Sequence, residues 1–296
     1  MRIFITGATG FLGGHLLEKL SPERKTVVCL VRTESSGQSL IKKGFRVARG
    51  DLTDICSLKK ATKGIDIAIH LAAEIDASDS SCYETVNTGG TLNLIKVCRE
   101  NKVKKIIFIS SIQAKYDTVY GISKNKAEEI IIDSGMDYVI LRPALIYGEG
   151  DNKNLTKLAA LIKKFPVIPL IGTGRYLRQP VYVGDVVNAI SRVIQTNKKN
   201  AIYSIGGPDQ IRFRDILKKI SVTLNVRRIF IPVPISLIRI IGMGYWKLTK
   251  NPIITKIQLE SLIINQTFSF KEIYKTSNDL KISFNSFEDK IGSLLR

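Results

Sequence analysis

At 296 residues the chain is long enough for one large α/β domain, or a main domain with a smaller lobe, and its core needs no disulfide or metal staple. Two histidines and four scattered cysteines (Cys29, Cys56, Cys82, Cys98) exclude a C-x-x-C or zinc-finger framework; no metal site is expected, and the cysteines read as buried thiols in a reducing compartment. The formal net charge of +19 favours anionic partners such as phosphorylated cofactors or nucleotide-linked substrates, but the lysines are spread too evenly for a nucleic-acid groove.

From Met1-Arg2 the chain passes directly into the apolar run Ile3-Phe4-Ile5, which leaves no room for a secretory leader and points to the cytoplasm. Thr6-Gly7-Ala8-Thr9-Gly10-Phe11-Leu12-Gly13 follows, opening an apolar-periodic segment that ends near Leu20. Strand, glycine turn and helix are the context that a dinucleotide-binding turn requires, although the G-x-x-G-x-x-G spacing is one residue wider than the usual fingerprint. Gly7 allows the sharp turn, Gly10 lets backbone approach a pyrophosphate, and Gly13 lets the helix pack on the sheet. Thr9, Phe11 and Leu12 complete the expected cofactor cradle.

Thr26 to Val31 reads as a second strand, followed by a polar loop at Thr33 to Ser39. A third strand at Phe45 to Ala48 ends in Gly50-Asp51-Leu52, a short helix lies near Ser57 to Ala61, and Ile65 to Leu71 is a fourth strand buried on both faces. Cys82 to Glu100 reads as a long helix, Lys105 to Ile109 as the fifth strand, Tyr120 to Ser134 as a helix, and Tyr138 to Leu141 as a sixth strand. This alternation predicts a Rossmann-type doubly wound parallel sheet over 1–150, with segments near 180–205 returning to it. A smaller, mostly helical C-terminal lobe is expected over 151–296, including a helix at Asp151 to Phe165, strands at Val167 to Ile171, Val181 to Val183 and Ala201 to Ile205, and a helix at Asp185 to Thr196. The most apolar stretch, Ile229 to Trp246, is broken by Pro232, Pro234 and Arg239, so stable membrane insertion is not expected, whereas peripheral contact stays open.

Ligands of such a sheet sit beyond the carboxyl ends of the strands. At the end of the second strand an arginine favours a 2′-phosphate, so Arg32, with Thr33 and Ser35 beside it, points to NADP over NAD; Glu34 stays available to an NAD ribose. Asp51-Leu52 borders the adenine, and Leu71-Ala72-Ala73 puts small residues where backbone must approach the cofactor. Tyr120 and Lys124 stand one helical turn apart on one face, where an ammonium would stabilise a phenolate. Ser111, just past the fifth strand, can hold a substrate oxygen against Tyr120, with Gln113 beside it.

These motifs, in this order, resemble the extended short-chain dehydrogenase/reductase superfamily, in particular its NAD(P)-dependent nucleotide-sugar epimerase/dehydratase branch. Val86-Asn87-Thr88-Gly89-Gly90-Thr91, Leu141-Arg142-Pro143, Tyr147-Gly148 and the segment Arg178 to Val186 extend the resemblance almost end to end. It implies that Tyr120 is the general acid/base, that Lys124 also holds the nicotinamide ribose, and that Ser111 orients the substrate. It further implies that Asn87 supports the site, Pro143 flanks the nicotinamide, and Arg178, with Asn154 and Lys157 as helpers, holds a nucleotide-sugar diphosphate. A homodimer through the two helices flanking the sheet is usual in that superfamily.

Two departures stand out. Ser111 and Tyr120 are closer in sequence than the resembled pattern has them, and Gly184 replaces an acidic residue. Ile112-Gln113, where dehydratases carry an acid, argues against dehydration. The expected activity is hydride transfer on a nucleotide-linked sugar, as epimerase or keto reductase. A reductase or dehydrogenase of a small apolar, steroid-like hydroxy or carbonyl compound, and a non-catalytic NADP-binding subunit, are the alternatives.

Overall fold

The turn after the first strand sets the architecture, because it sends a helix back along a sheet that is parallel throughout. The computed structural model describes residues 1–77, 79–151, 155–249 and 256–295, without the side chains of 243–248, 256–258 and 295. The first half runs β1 (Ile3–Thr6), α1 (Phe11–Lys19), β2 (Val27–Val31), α2 (Glu34–Lys42), β3 (Arg46–Arg49), α3 (Ile55–Ala61) and β4 (Ile67–His70). It continues through α4 (Ser80–Tyr83), a π-helical turn (Glu84–Gly89), α5 (Gly90–Glu100), β5 (Lys105–Ile109), a 3₁₀ turn (Ile112–Lys115), α6 (Val119–Ile132) and β6 (Asp137–Pro143). The second half comprises β7 (Leu145–Tyr147), α7 (Leu155–Lys164), β8 (Val167–Ile171), β9 (Leu177–Arg178), β10 (Pro180–Tyr182), α8 (Val183–Gln195) and β11 (Ala201–Ile205). It ends with β12 (Ile211–Arg212), α9 (Phe213–Thr223), β13 (Ile229–Val233), α10 (Ile235–Leu248), α11 (Lys256–Leu262), α12 (Phe270–Leu280) and α13 (Phe287–Lys290).

Seven parallel strands form the main sheet in the order β11-β6-β5-β4-β1-β2-β3. The order reverses between β1 and β4, and the crevice beyond that switch point is where a doubly wound sheet binds its ligand. Alternate residues of each strand serve opposite layers. Ile3, Ile5, Cys29, Val31 and Ile107 pack with α1 and α8, whereas Phe4, Leu30, Ala68, Ile106 and Phe108 pack with α3, α5 and α6. A third cluster, with Tyr147, Leu155, Ile162, Ile168, Leu170, Ile216 and Phe287, forms the core of the C-terminal lobe.

Three sequence expectations need correction. The polar segment after β2 is the start of α2, because Thr33 caps it by accepting from the Ser36 N–H and Leu40 gives it a buried contact. The long helix is interrupted by the π-helical turn, which carries Asn87 into the interior and precedes Gly90. Cys29 and Cys98 are buried, and burial pushes their thiols up to about 12; Cys56 and Cys82, in the first turns of α3 and α4, are exposed. No helix among the described residues is long and apolar enough to cross a membrane.

Candidate active site at the sheet switch point

Gly7 has φ +72°, and a Cβ there would lie 2.7 Å from the Ala72 nitrogen. Only glycine lets the turn after β1 press against the chain leaving β4. That chain is fixed in turn, since the Leu71 N–H donates to the Thr6 carbonyl (3.2 Å) and the Ala72 N–H to the Thr6 hydroxyl (3.2 Å). His70 completes the lock, with Nδ1 2.7 Å from the Thr6 hydroxyl and Nε2 3.0 Å from that of Thr91 on α5. Burial lowers His70 to about 3, so the ring is neutral.

Gly10 precedes α1, whose start has no side-chain cap and no acidic residue in its first turn. Its outward N–H groups and the absent side chain at Gly10 fit a dinucleotide pyrophosphate, with exposed Thr9 and half-buried Phe11 and Leu12 around it. Gly13 is the packing contact, because a Cβ there would meet the Gly7 carbonyl at 2.3 Å. Just past β2, Arg32 is exposed and close enough to Asp51 to help hold its carboxylate low, after the dominant effect of the Thr53 N–H donating at 2.8 Å. Leu52 is buried, and its carbonyl accepts from Asn93 of α5 at 3.0 Å.

The catalytic candidates meet where β5 gives way to α6. The Ser111 hydroxyl comes close enough to the Tyr120 phenol to lower its pKa, despite the short loop between them. Gly121 makes this possible, since a Cβ at that helical position would lie 2.2 Å from the Gln113 carbonyl and 2.4 Å from that of Tyr116. The loop therefore lies directly on the first turn of α6. Burial raises the Tyr120 phenol above its ordinary value, Tyr83 and Asp76 raise it further, and Ser111 opposes them. Tyr83 packs edge-on, with ring centroids 6.0 Å apart, and its hydroxyl donates to the carbonyls of Ile75 and Ala77.

Lys124 is buried one turn beyond Tyr120 on α6. Its Nζ donates to the Ile109 carbonyl (2.8 Å) and sits 4.0 Å from the Phe108 ring centroid, which anchors the side chain on β5 with one of its three donors. Burial lowers it to about 7 against the opposing pull of Glu128. Asn87 bridges the other wall, accepting from the Glu74 N–H (2.7 Å) and donating to the Glu74 carbonyl and the Ser123 hydroxyl (3.0 Å each). Beneath this layer Glu128 is buried, receives the Ser110 hydroxyl, and forms a two-pronged ion pair with Arg142. Glu128 stands one turn beyond Lys124 on the Tyr120 face of α6; that spacing was readable in the sequence, as was the Leu-Arg-Pro motif that places Arg142. Gly121 and Tyr83 carried no such signal.

The expected substrate residues are dispersed. Gln113 is half-buried beside Ser111, its N–H donating to the Ser111 hydroxyl at 3.1 Å, and Pro143 is buried at the end of β6. Lys157 is exposed on α7, and Asn154 lies outside the described residues. Arg178 requires a correction. It is 3% exposed, and its terminal nitrogens donate to the carbonyls of Leu177, Ser261, Leu262 and Ile264, so it clamps the end of α11 to β9 instead of presenting a fork to a diphosphate. Burial accordingly lowers it to about 10.

The family model described as the NAD dependent epimerase/dehydratase family matches residues 3–206. Over 83% of its length the chain is 26% identical to a UDP-glucose 4-epimerase of Vibrio cholerae, of which 82% is covered. Over 98% of its length it is 28% identical to a decarboxylating sterol-4-alpha-carboxylate 3-dehydrogenase of Dictyostelium discoideum, 99% covered. The fold is also that of the Thermotoga maritima UDP-glucose 4-epimerase solved with UDP-glucose, at TM-score 0.77 and 19% identity, covering all of this chain and 98% of the other.

Proposed function

The chain belongs to the NAD dependent epimerase/dehydratase family and is an enzyme of it; on that premise we propose that it interconverts a secondary alcohol and a ketone on a nucleotide-linked sugar, as an epimerase or a keto reductase. The reading is carried by the approach of the Ser111 hydroxyl to the Tyr120 phenol at the carboxyl end of β5, two strands from the glycine turn that follows β1. Residues 1–150, with the returning segments near 180–205, hold the cofactor, residues 151–296 shape the substrate side, and the enzyme works in the cytoplasm.

When bound, the nicotinamide supplies hydride to the substrate carbon or accepts it. Tyr120 handles the matching proton. With its phenol raised by burial it is protonated at neutral pH and gives that proton to the carbonyl oxygen during reduction, becoming the phenolate; in the reverse direction the phenolate takes the hydroxyl proton and returns to the phenol. Ser111 holds the same oxygen. Lys124 keeps α6 docked on β5 at Ile109 and so fixes where the Tyr120 oxygen stands. Asn87 fixes the Glu74 wall opposite it.

Purified enzyme should convert UDP-glucose to UDP-galactose without net change in dinucleotide, or reduce a 4-keto nucleotide sugar with stoichiometric loss of NADPH. Failure on both substrates overturns the reading. Arg32 favours NADPH, and running the assay with NADPH and NADH reads that preference directly. A second reading, oxidation or reduction of a small apolar hydroxy compound, is favoured by Arg178, whose terminal donors are occupied by backbone carbonyls. Turnover of a 3-hydroxysteroid but of neither nucleotide sugar supports it.

A further inference from the structure

Away from the site, β8 and β13 pair in parallel, with Val167 opposite Ile229 and Pro169 opposite Ile231. One face of this ribbon is spent on the lobe core, where Ile168 and Leu170 are buried. The other faces outward and is entirely apolar: Val167, Pro169, Ile229 and Ile231 are exposed, Ile229 at 64%, and exposed Phe165 precedes the ribbon. Two residues beyond β13, α10 exposes Leu237, Ile240 and Ile241, positions that share one helical face, Ile240 and Ile241 at 62% each. A soluble protein has no reason to keep such a face bare, and an exposed apolar patch of this kind marks an interaction site.

The charges say which partner. Exposed Lys163 and Lys164 close α7 just before the ribbon, with the Lys164 ammonium 5.4 Å from the Phe165 ring centroid, and exposed Arg227 stands just before β13. The sequence has no acidic residue between Asp151 and Asp185 or between Asp215 and Glu260, and Glu260 is paired with Arg239 at 3.3 Å. A second copy docked face to face would bring the same cations against these. We propose that the outward β8–β13 face and the exposed stripe of α10 dock the enzyme on an anionic lipid bilayer, apolar side chains entering the headgroup boundary and the lysines and arginines lying over the anionic headgroups. This is surface adsorption, without a spanning segment, and it does not depend on which substrate the active site takes.

The test is co-sedimentation of the full chain with vesicles of phosphatidylcholine alone and of phosphatidylcholine and phosphatidylglycerol in equal parts. Wild type should bind the mixed vesicles only and come off in about 1 M salt, where the screening length is about 3 Å. Lys163→Glu with Lys164→Glu should weaken partitioning at least about tenfold, and Ile229→Ser with Ile231→Ser should weaken it similarly, both at unchanged circular dichroism. The proposal fails if wild type binds neither vesicle, binds both equally, or is matched by both variants. It also fails if wild type ignores vesicles and sediments as a dimer that Ile229→Ser dissociates, which would assign the face to a second copy.

Discussion

The carboxyl edge of the main sheet and the outer face of the lobe break the ordinary rule of burial in opposite directions. At the sheet edge His70, Asn87, Lys124 and Glu128 are buried, and each has hydrogen-bonding partners that tie neighbouring elements together. On the lobe, Ile229, Ile231, Ile240 and Ile241 are in solvent with nothing covering them among the described residues. Buried polar groups are costly unless every partner is in place, so the first arrangement fixes atoms at set positions, as proton transfer requires. Exposed apolar groups need no geometry and only lack a partner. The first region is thus a rigid site and the second a surface.

Breaking the rigid region should therefore cost stability, and altering the surface should not. Arg142→Ala strands Glu128 as an unpaired buried charge and is expected to lose roughly 3–5 kcal/mol in urea unfolding, most of it recovered by Glu128→Gln with Arg142→Met. His70 titrates at about 3 in the folded protein against 6.5 unfolded, so between those values the unfolded chain binds more protons. Its contribution is complete above pH 6.5 and is lost as pH falls toward 3, on the order of a few kcal/mol. Denaturation at a series of pH values should show His70→Gln less stable throughout, with a shallower acid limb. Gly121→Ala pushes the Ser111 loop off α6, at a cost of about 1–3 kcal/mol in stability and on the order of a hundredfold in kcat. Ile229→Ser should move the unfolding free energy by less than about 0.5 kcal/mol, and a large loss there would mean that the face is part of the core.

The sheet was legible because strands buried on both faces read as unbroken apolar runs, and the glycine turn because its backbone must pass within contact of Ala72. Tyr120, Lys124 and Ser111 were legible as residue types at fixed spacing; what Lys124 touches was not, because a helical register says which face a side chain takes and not how far it turns into the core. Arg178 shows the same limit more sharply. Its role as a diphosphate binder came from its place in the resembled motif, and its burial under the 261–264 carbonyls depends on a segment more than eighty residues away. Serines and a glycine hid α2, whose capping Thr33 was read as loop.

Proton transfer at Tyr120 is the core of the proposed mechanism, and Tyr120→Phe tests it with one atom removed. The account predicts that dinucleotide binding is retained while kcat on the nucleotide sugar falls about 10²–10⁴-fold. A Tyr120→Phe enzyme that turned over at the wild-type rate would contradict it.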